Sequence, residues 1–435
     1  MGLAHAKTYL TSGKYLTGAS GLKTRCKRLL PGHPKILLLA IMLLVAILTV
    51  VGCTGALGRG VAQGWAGGVV VDDTVIVGSR GGRIIALDTE DGTQRGDPIA
   101  ITIQMSSNLC GGGGTAGVAI YSSPVIGEWR ELDGKQFRMV YIGSYSNKVY
   151  AFSFDGSSFT TDLKFDYPPD DFLDGGIVGE LTIDEEDNIF FGSADGKVYA
   201  LNQNLVSIWE YDTGDKIWSS PAITDDALFI GSFGKKLYAL DITDGNQQWV
   251  FETRGAIIAA PLVYGNNVYF GTFGRRFYAV DITSGEEVWR FPSDDSDENK
   301  PKNWFWANPV ASNGTIYAPN LDGKVYALDA DAGTLVAEFD LGGPISSSPV
   351  LVDGLIIVAT ENGDIYSLDT EDNHQTLLVH LEDMVDEKAY EEKVQAPLFA
   401  GDGTVYIHTY RDNLYAINVQ TGEELWVKSL ASEDS

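Results

Sequence analysis

The chain has 435 residues, of which 59 are acidic, 31 are basic and only three are cysteines. Seven basic residues and no acidic ones lie in residues 1–52, so the remainder has 24 basic residues against 59 acidic ones. A net charge near −35 on that remainder repels phosphate backbones and excludes nucleic acid as the expected partner.

The N-terminal region predicts an attachment to a membrane. A basic leader over residues 1–35 is followed by an uncharged, mostly apolar segment over residues 36–57, which is 22 residues long. A segment of that length can cross ~30 Å of hydrocarbon as a transmembrane anchor. The basic flank should stay in the cytoplasm, which places the acidic body on the extracytoplasmic side.

A lipoprotein signal is the alternative for the same segment. Residues 50–53 resemble a bacterial lipobox, so Cys53 is a candidate lipidation site, although the leader is long for such a signal. If Cys53 is acylated, Cys110 has no partner in the body of the chain. We therefore expect a hydrophobic core, and not disulfides, to hold the fold.

The body of the chain is built from eight copies of one unit. A Tyr-Ala pair, or a degenerate copy of it, marks each unit at intervals of mostly 39 to 49 residues, with one interval of 65. The first residues of these pairs are Ile85, Tyr150, Tyr199, Tyr238, Tyr278, Tyr326, Tyr366 and Tyr415. A period near 40 to 50 residues filled with short strands is typical of propeller blades.

Each unit contains four apolar runs separated by turns. In the fourth unit these runs lie at residues 219–224, 228–236, 237–241 and 247–251. They are rich in β-branched and aromatic residues, and the third run is apolar on both faces, as in a sheet covered on both sides. We predict an all-β fold, an eight-bladed β-propeller of four-stranded antiparallel blades over residues 64–430, closed by packing alone or by a strand from residues 56–66.

The turns carry a second repeated pattern. Several units have an Asp four residues before a Gly, and three units have a Trp four residues after the equivalent Gly; Asn373 takes the Gly position in the seventh unit. An Asp side chain can cap the turn, while Gly or Asn tolerates the left-handed backbone. We expect Trp249, Trp289 and Trp426 to lie on outer strands and to wedge against the next blade.

The unit G-x-x-Y-A-L-D-x-x-x-G-x-x-x-W resembles the PQQ-like propeller repeat over roughly residues 64–430. The proteins with this repeat include quinoprotein alcohol dehydrogenases and outer-membrane assembly lipoproteins of the BamB type. The matching residues are packing and turn residues, so the resemblance implies a fold more directly than an activity.

The resemblance implies two alternative functions. A quinoprotein dehydrogenase would hold PQQ and calcium in the central funnel, with a catalytic Asp and, typically, two adjacent cysteines; this sequence has no Cys-Cys pair and no Cys-x-x-Cys-His motif. A scaffold similar to BamB needs no cofactor and no catalytic residue. We expect the scaffold, a membrane-tethered protein of the bacterial cell envelope, and keep the enzyme as the alternative.

The candidate binding site combines loops and aromatic residues. Long insertions at residues 104–119, 166–178, 291–305 and 380–394 precede first strands and should emerge on one face, whereas the insertion at 127–137 falls on the other. Tyr121, Trp218 and Trp306 stand three residues before a Pro, and Trp304 and Phe305 add to them. We expect Tyr121, Trp218, Trp304 and Trp306 to bind a protein or extended peptide there; the alternative is that they pack under the loops.

Other motifs predict no metal or cofactor site. The five histidines (5, 33, 374, 380 and 408) lack metal-ligand spacing, and the acidic cluster at 294–298 lacks the Gly and distal Glu of an EF-hand loop. The glycine run at 111–114 lacks the Lys and Ser/Thr of a phosphate-binding loop.

Overall fold

The structure of the protein is a computed structural model that describes residues 64–104, 115–294, 296, 300–385 and 388–431. The expected leader and anchor, together with Cys53, Cys110 and most of the acidic cluster at 294–298, lie outside these residues. Within the described parts of the chain, no helix has both the length and the apolar character that crossing a membrane requires.

The described residues form eight four-stranded antiparallel blades, which confirms the predicted fold class. Blades 1 to 4 contain β1 (Gly68–Val71), β2 (Thr74–Gly78), β3 (Arg83–Asp88) and β4 (Ile99–Ala100); β7 (Val125–Ile126), β9 (Lys135–Ser144), β10 (Lys148–Phe154) and β11 (Phe159–Tyr167); β12 (Thr182–Ile183), β13 (Ile189–Gly192), β14 (Lys197–Leu201) and β15 (Ser207–Asp212); and β16 (Ala222–Ile223), β17 (Ala227–Gly231), β18 (Lys236–Asp241) and β19 (Gln247–Glu252).

Blades 5 to 8 repeat the same order from the innermost to the outermost strand. They contain β20 (Leu262–Tyr264), β21 (Asn267–Gly271), β22 (Phe277–Asp281) and β23 (Glu287–Phe291); β24 (Val310–Ser312), β25 (Thr315–Pro319), β26 (Lys324–Asp329) and β27 (Leu335–Asp340); β28 (Val350–Val352), β29 (Leu355–Ala359), β30 (Asp364–Asp369) and β31 (Gln375–His380); and β34 (Phe399–Gly401), β35 (Thr404–His408), β36 (Asn413–Asn418) and β37 (Glu424–Ser429).

Three of the insertions add short strands to this plan. β5 (Thr102–Gln104) pairs with β6 (Thr115–Gly117) between blades 1 and 2, and β32 (Glu382–Val385) pairs with β33 (Lys388–Glu391) between blades 7 and 8. β8 (Arg130–Leu132) pairs with β9 and extends blade 2 as a hairpin. The sequence predicted the positions of these insertions, but not that they pair as ribbons.

The packing explains why the Tyr-Ala pair recurs. In blades 3, 4, 5 and 8 the alanine of the pair lies directly opposite a tryptophan of the outer strand, as Ala239 does with Trp249, and a β-bulge follows at that point. A larger residue than Ala would compete with the indole for the same space. The second and third strands of each blade are buried on both faces, as β17 and β18 show, while the outer strand β19 alternates.

Each of these outer tryptophans docks on the turn of the next blade. The indole N–H groups of Trp209, Trp249, Trp289 and Trp426 donate to the carbonyls of Ile242, Ile282, Ala330 and Thr89, at 2.9 to 3.1 Å. Opposite each ring stands a glycine with positive φ, and a Cβ added to Gly285 would lie 2.5 Å from Trp249. The predicted wedge between blades is therefore confirmed, and Trp209 adds a fourth case.

The contact between blades 6 and 7 lacks this tryptophan. The residue equivalent to Trp249 in blade 6 is Ala337, and the turn position that it would face in blade 7 is Asn373, with φ of 56°. Without an indole against the turn, a side chain fits where the four turns that face an indole have Gly. Asn also tolerates the left-handed backbone better than most residues.

The ring closes by packing and by isolated hydrogen bonds. Blade 1 takes its four strands from residues 68–100 and blade 8 from residues 399–429, so the described chain contributes no shared strand. His408 donates to the Ala66 carbonyl at 2.8 Å, and the Arg80 backbone N–H donates to Asp412 at 2.9 Å. Arg83 also donates to the Leu430 carbonyl across this seam. Residues 56–63, which belong to the alternative closure by an added strand, lie outside the described residues.

Candidate functional site

One end of the central channel is surrounded by a ring of residues from all eight blades. The chain enters each first strand from this face, and the residue three before the Pro position leads it. We call these residues the mouth ring: Trp65, Tyr121, Val178, Trp218, Ile258, Trp306, Ser346 and Gln395. Three of the predicted aromatic residues, Tyr121, Trp218 and Trp306, therefore lie at one level of the channel. Trp65 lies at the same level.

A second ring, two residues further along the chain, lies deeper in the channel. We call it the lower ring: Gly67, Ser123, Glu180, Ser220, Ala260, Asn308, Ser348 and Pro397. Hydrogen bonds join its members across blades, because the backbone N–H groups of Glu180, Ala260 and Asn308 donate to side chains of the next blade at 2.7 to 3.0 Å. The lower ring thus fixes the positions of the aromatic residues above it.

The two rings enclose a cavity of about 310 Å³. Its lining is aromatic at the mouth ring and polar at the lower ring, and Glu180 is its one ionisable acid. An adjoining cavity of about 210 Å³ shares Trp65, Trp306, Ser346 and Gln395 with it and adds Leu321 and Glu361. A concave, aromatic surface with a few convergent polar groups is the usual form of a binding site.

A third set of residues surrounds the mouth at the tips of the hairpins between second and third strands. In blades 2 to 8 the backbone N–H of the tip residue donates to the segment that enters the same blade, as Phe233 does to Lys216 and Phe273 to Ala256. The tips therefore hold the entering segments, and with them the mouth ring, in place. Tyr145 and Tyr410 are tip residues with about half of their surface exposed.

Aromatic contacts connect the mouth ring to these tips. Tyr121 lies between Trp65 and Tyr145, with ring centroids 4.6 Å and 5.4 Å away. On the other side Trp218 meets Phe233 edge-on at 4.9 Å, and Trp306 stacks on Phe273 at 5.7 Å. Burial beside Tyr145 raises the pKa of Tyr121. The mouth is thus bordered by two aromatic belts, on blades 1–2 and 4–6.

Trp304 lies on the rim rather than in the channel. It is 44% exposed and stacks on Phe273 with centroids 4.6 Å apart. Its loop is fastened to the blade 6 hairpin, since the Asn320 side chain donates to the Asn303 carbonyl and the Leu321 N–H donates to the Trp304 carbonyl. The exposed indole is therefore presented by an ordered loop.

Phe305 was expected to join these aromatic residues, and that expectation is wrong. It is 1% exposed and points into the core between blades 5 and 6, against Phe277 and Tyr326. Neighbouring residues on an extended segment point to opposite sides, so Phe305 must turn inward when Trp304 and Trp306 face the mouth. By contrast, Tyr121, Trp218 and Trp306 are half-buried and line the open cavity.

Trp65 and Glu180 are the site residues that sequence reasoning missed. The predicted aromatic residues stand three residues before a Pro, but Gly68 and Leu181 occupy the Pro position in blades 1 and 3. Counting back from the start of each first strand, rather than from the Pro, finds both residues. The aromatic tip residues could have been found in the same way, two positions after each second strand.

Glu180 has an unusual environment for a carboxylate. Burial raises the pKa of Glu180 above its ordinary value, and the hydrogen bond from the Ser123 hydroxyl opposes this only in part. Among the described residues no Lys, Arg or His forms an ion pair with it. Its ionised form is thus destabilised by burial.

No metal centre is found among the described residues, where no group of three His, Cys, Asp or Glu side chains converges. His408 is buried at the seam between blades 8 and 1, bonded to Ala66 and to Asp412 at 2.9 Å. His380 bonds to Asp364 at 2.7 Å on the surface.

The blade pattern and the turn chemistry define this molecule as a PQQ-like eight-bladed propeller with one concave, aromatic mouth. A family model described as outer membrane protein assembly factor BamB matches residues 194–301 and 276–435, which together span more than half of the chain. The protein belongs to this BamB family, as the repeat indicated.

The chain also matches a natural and a designed protein among the solved structures. BamB from Moraxella catarrhalis is 24% identical over 59% of this chain and 73% of that chain, with a TM-score of 0.48. The computationally designed Ika8 protein is 13% identical over 83% and 96% of the two chains, with a TM-score of 0.57, and shows the fold alone. No curated protein matches the sequence.

Proposed function

We propose that this protein is a non-catalytic scaffold of the cell envelope, similar to BamB, that binds a protein partner at the channel mouth. Tyr121, Trp218, Trp304 and Trp306 are the anchors of that surface. The N-terminal segment tethers the propeller to a membrane, through a transmembrane anchor or through acylated Cys53. The partner binds from the extracytoplasmic side.

The observation that carries this proposal is the pair of aromatic belts around an open cavity. Membership of a family named for outer-membrane assembly supports a role in assembling other proteins. The hairpin tips and the lower ring hold the aromatic residues in fixed positions, which lowers the entropy lost when a partner binds. Exposed Trp and Tyr residues at the centre of a rigid surface are the residue types that dominate binding energies.

The alternative, a PQQ-dependent dehydrogenase, is supported less well by the lining. PQQ carries three carboxylates and needs basic partners, whereas the residues that line the two cavities include Glu180 and Glu361 but no Lys or Arg. Calcium prefers six to eight oxygen ligands, and Glu180 is the one carboxylate in the main cavity. The residues at the mouth therefore do not fit this cofactor.

Site-specific photo-crosslinking in the full-length protein tests the proposed scaffold function. A photoreactive phenylalanine at position 304, on the rim, should crosslink to a defined protein of the membrane fraction. The same residue at position 427, on the outer strand of blade 8, is the matched control because Val427 is similarly exposed, at 48% against 44%. Equal adducts from both positions, or none from position 304, would contradict the proposal.

A further inference from the structure

Glu180 lies in the channel without a positive charge to balance it. One carboxylate oxygen, Oε1, accepts from Ser123, and Oε2 has no hydrogen-bond partner among the described residues while remaining accessible. Burying an unpaired carboxylate is costly, and such groups are normally paired with a cation. A cation that entered the channel from outside the described residues could therefore pair with this carboxylate.

Arg80 is a basic residue on this face, and its guanidinium contacts an aromatic ring. Arg80, at the tip of the blade 1 hairpin, holds its guanidinium 3.9 Å from the centre of the Tyr410 ring, and its backbone is bonded to Asp412. It forms no ion pair with Glu180 in the part of the chain that the structure describes. Among the described residues, no ion pair thus balances the carboxylate in the channel.

Aromatic faces surround the entrance to the same cavity. Trp65, Tyr121, Trp218 and Trp306 all belong to the mouth ring, two residues before the level of Glu180, a distance of roughly 7 Å along an extended chain. The faces of Trp and Tyr attract organic cations, and a ring of them is a common cage for such groups. A cation that enters the channel would pass the aromatic ring and then approach the carboxylate.

The size of the cavity suits a side chain rather than a folded element. Its volume of about 310 Å³ is at the lower end of the roughly 300–1,000 Å³ typical of small-molecule sites. The adjoining cavity adds Glu361 and no basic residue, which extends the negative lining towards blade 7.

We infer that the mouth binds the cationic side chain of an arginine or lysine on the partner protein, with Glu180 as its counter-ion and the mouth-ring aromatics as its cage. This inference rests on the proposed function and specifies the chemistry that the partner presents. The cationic group displaces water from the channel and pairs with the free oxygen of Glu180. The remaining partner surface contacts Trp304 and the hairpin tips.

Binding of a small probe to the full-length protein tests this inference without any partner. The probe is N-acetyl-arginine methylamide, and its neutral control is the citrulline counterpart, which has the same shape and no charge. Calorimetry or ligand-observed NMR should show at least about tenfold tighter binding of the arginine probe, because only the cation gains from the carboxylate and the aromatic faces. The affinity should fall as salt is added.

Two variants assign the binding to this site. Glu180→Gln keeps the oxygen that accepts from Ser123 but removes the charge, and should weaken the arginine probe at least about tenfold, to the level of the citrulline probe. Glu252→Gln is the matched control, since Glu252 lies on the outer strand β19, and should leave the affinity unchanged.

The outcomes separate this inference from the proposed function. If the arginine probe binds and also displaces the partner that crosslinks to position 304, both stand. If neither probe binds, or the two bind equally, or Glu180→Gln has no effect, the inference is overturned even when the crosslink persists. If the arginine probe binds but leaves that crosslink undiminished, the cage binds a free organic cation and the assignment to a partner side chain is wrong.

Discussion

Eight of the nine tryptophans divide into two groups that differ in how their indoles are used. The outer tryptophans, Trp209, Trp249, Trp289 and Trp426, are 8–9% exposed, and each donates its N–H to the next blade. The mouth tryptophans, Trp65, Trp218, Trp304 and Trp306, are more exposed, and their N–H groups have no partner among the described residues. A buried indole normally finds a hydrogen-bond partner, so the second group is free to offer its N–H groups and ring faces to a ligand.

This difference teaches that one repeat can carry two aromatic positions with separate roles. The outer position stabilises contacts between blades, because a single blade cannot bury its own faces. The mouth position contributes little to the contacts between blades. Hydrogen bonds of the lower ring hold it in place. We therefore expect substitutions at the two positions to separate stability from binding.

Replacement of an outer tryptophan should have the largest effect on stability. Trp249→Ala removes a buried ring and leaves the Ile282 carbonyl without its donor, so the free energy of unfolding should fall by about 3–5 kcal/mol. Denaturant unfolding followed by circular dichroism measures this change. A loss as small as that of Trp218→Ala would remove the distinction between the two groups.

Substitution of a turn glycine should reveal the same contact between the turn and the tryptophan through its effect on the free energy of unfolding. Gly285→Ala places a Cβ 2.5 Å from Trp249, and Gly265→Ala, at a similar positive φ, meets no atom within 4 Å. In both variants the left-handed backbone should lower the free energy of unfolding by about 1–2 kcal/mol. The further decrease in Gly285→Ala, about 1–3 kcal/mol, therefore measures the clash with the indole. In a Trp249→Ala background that extra loss should disappear.

The contact between blades 6 and 7 offers the converse experiment. Ala337→Trp should destabilise the protein while Asn373 occupies the facing turn, and the added Asn373→Gly substitution should relieve part of that loss. We expect a coupling energy of about 1 kcal/mol from the double-mutant cycle. Additive effects would show that residue 373 does not face residue 337 as its counterparts do.

The carboxylate of the mouth should respond to pH. Because burial raises the pKa of Glu180 above its ordinary value of 4.5, the ionised group destabilises the folded protein above the raised pKa. Glu180→Gln should therefore raise the melting temperature at pH 7, and the gain should vanish as the pH falls below 4.5. An unchanged or lowered melting temperature at pH 7 would indicate that Glu180 is compensated within the protein.

The sequence predicted those features that follow from local spacing. Eight Tyr-Ala anchors and the Gly-to-Trp distance were enough for the blade number and for the contacts of Trp249, Trp289 and Trp426. Trp209 was missed because the third turn is one residue shorter and places Leu205, at φ of 57°, where most other blades have Gly. Local spacing does not predict which side chains of a neighbouring blade lie close to a residue. It therefore could not show that no described basic side chain pairs with Glu180.

The most direct test of the two roles is a single substitution measured in two ways. Trp218→Ala, in the full-length protein that carries the photoreactive residue at position 304, should lower the free energy of unfolding by no more than about 2 kcal/mol, since a half-buried ring and its contact with Phe233 are lost. The crosslink to the partner should fall by about tenfold or more, because a central aromatic anchor is worth about 2 kcal/mol. A loss of stability equal to that of Trp249→Ala, or an undiminished crosslink, would contradict this account.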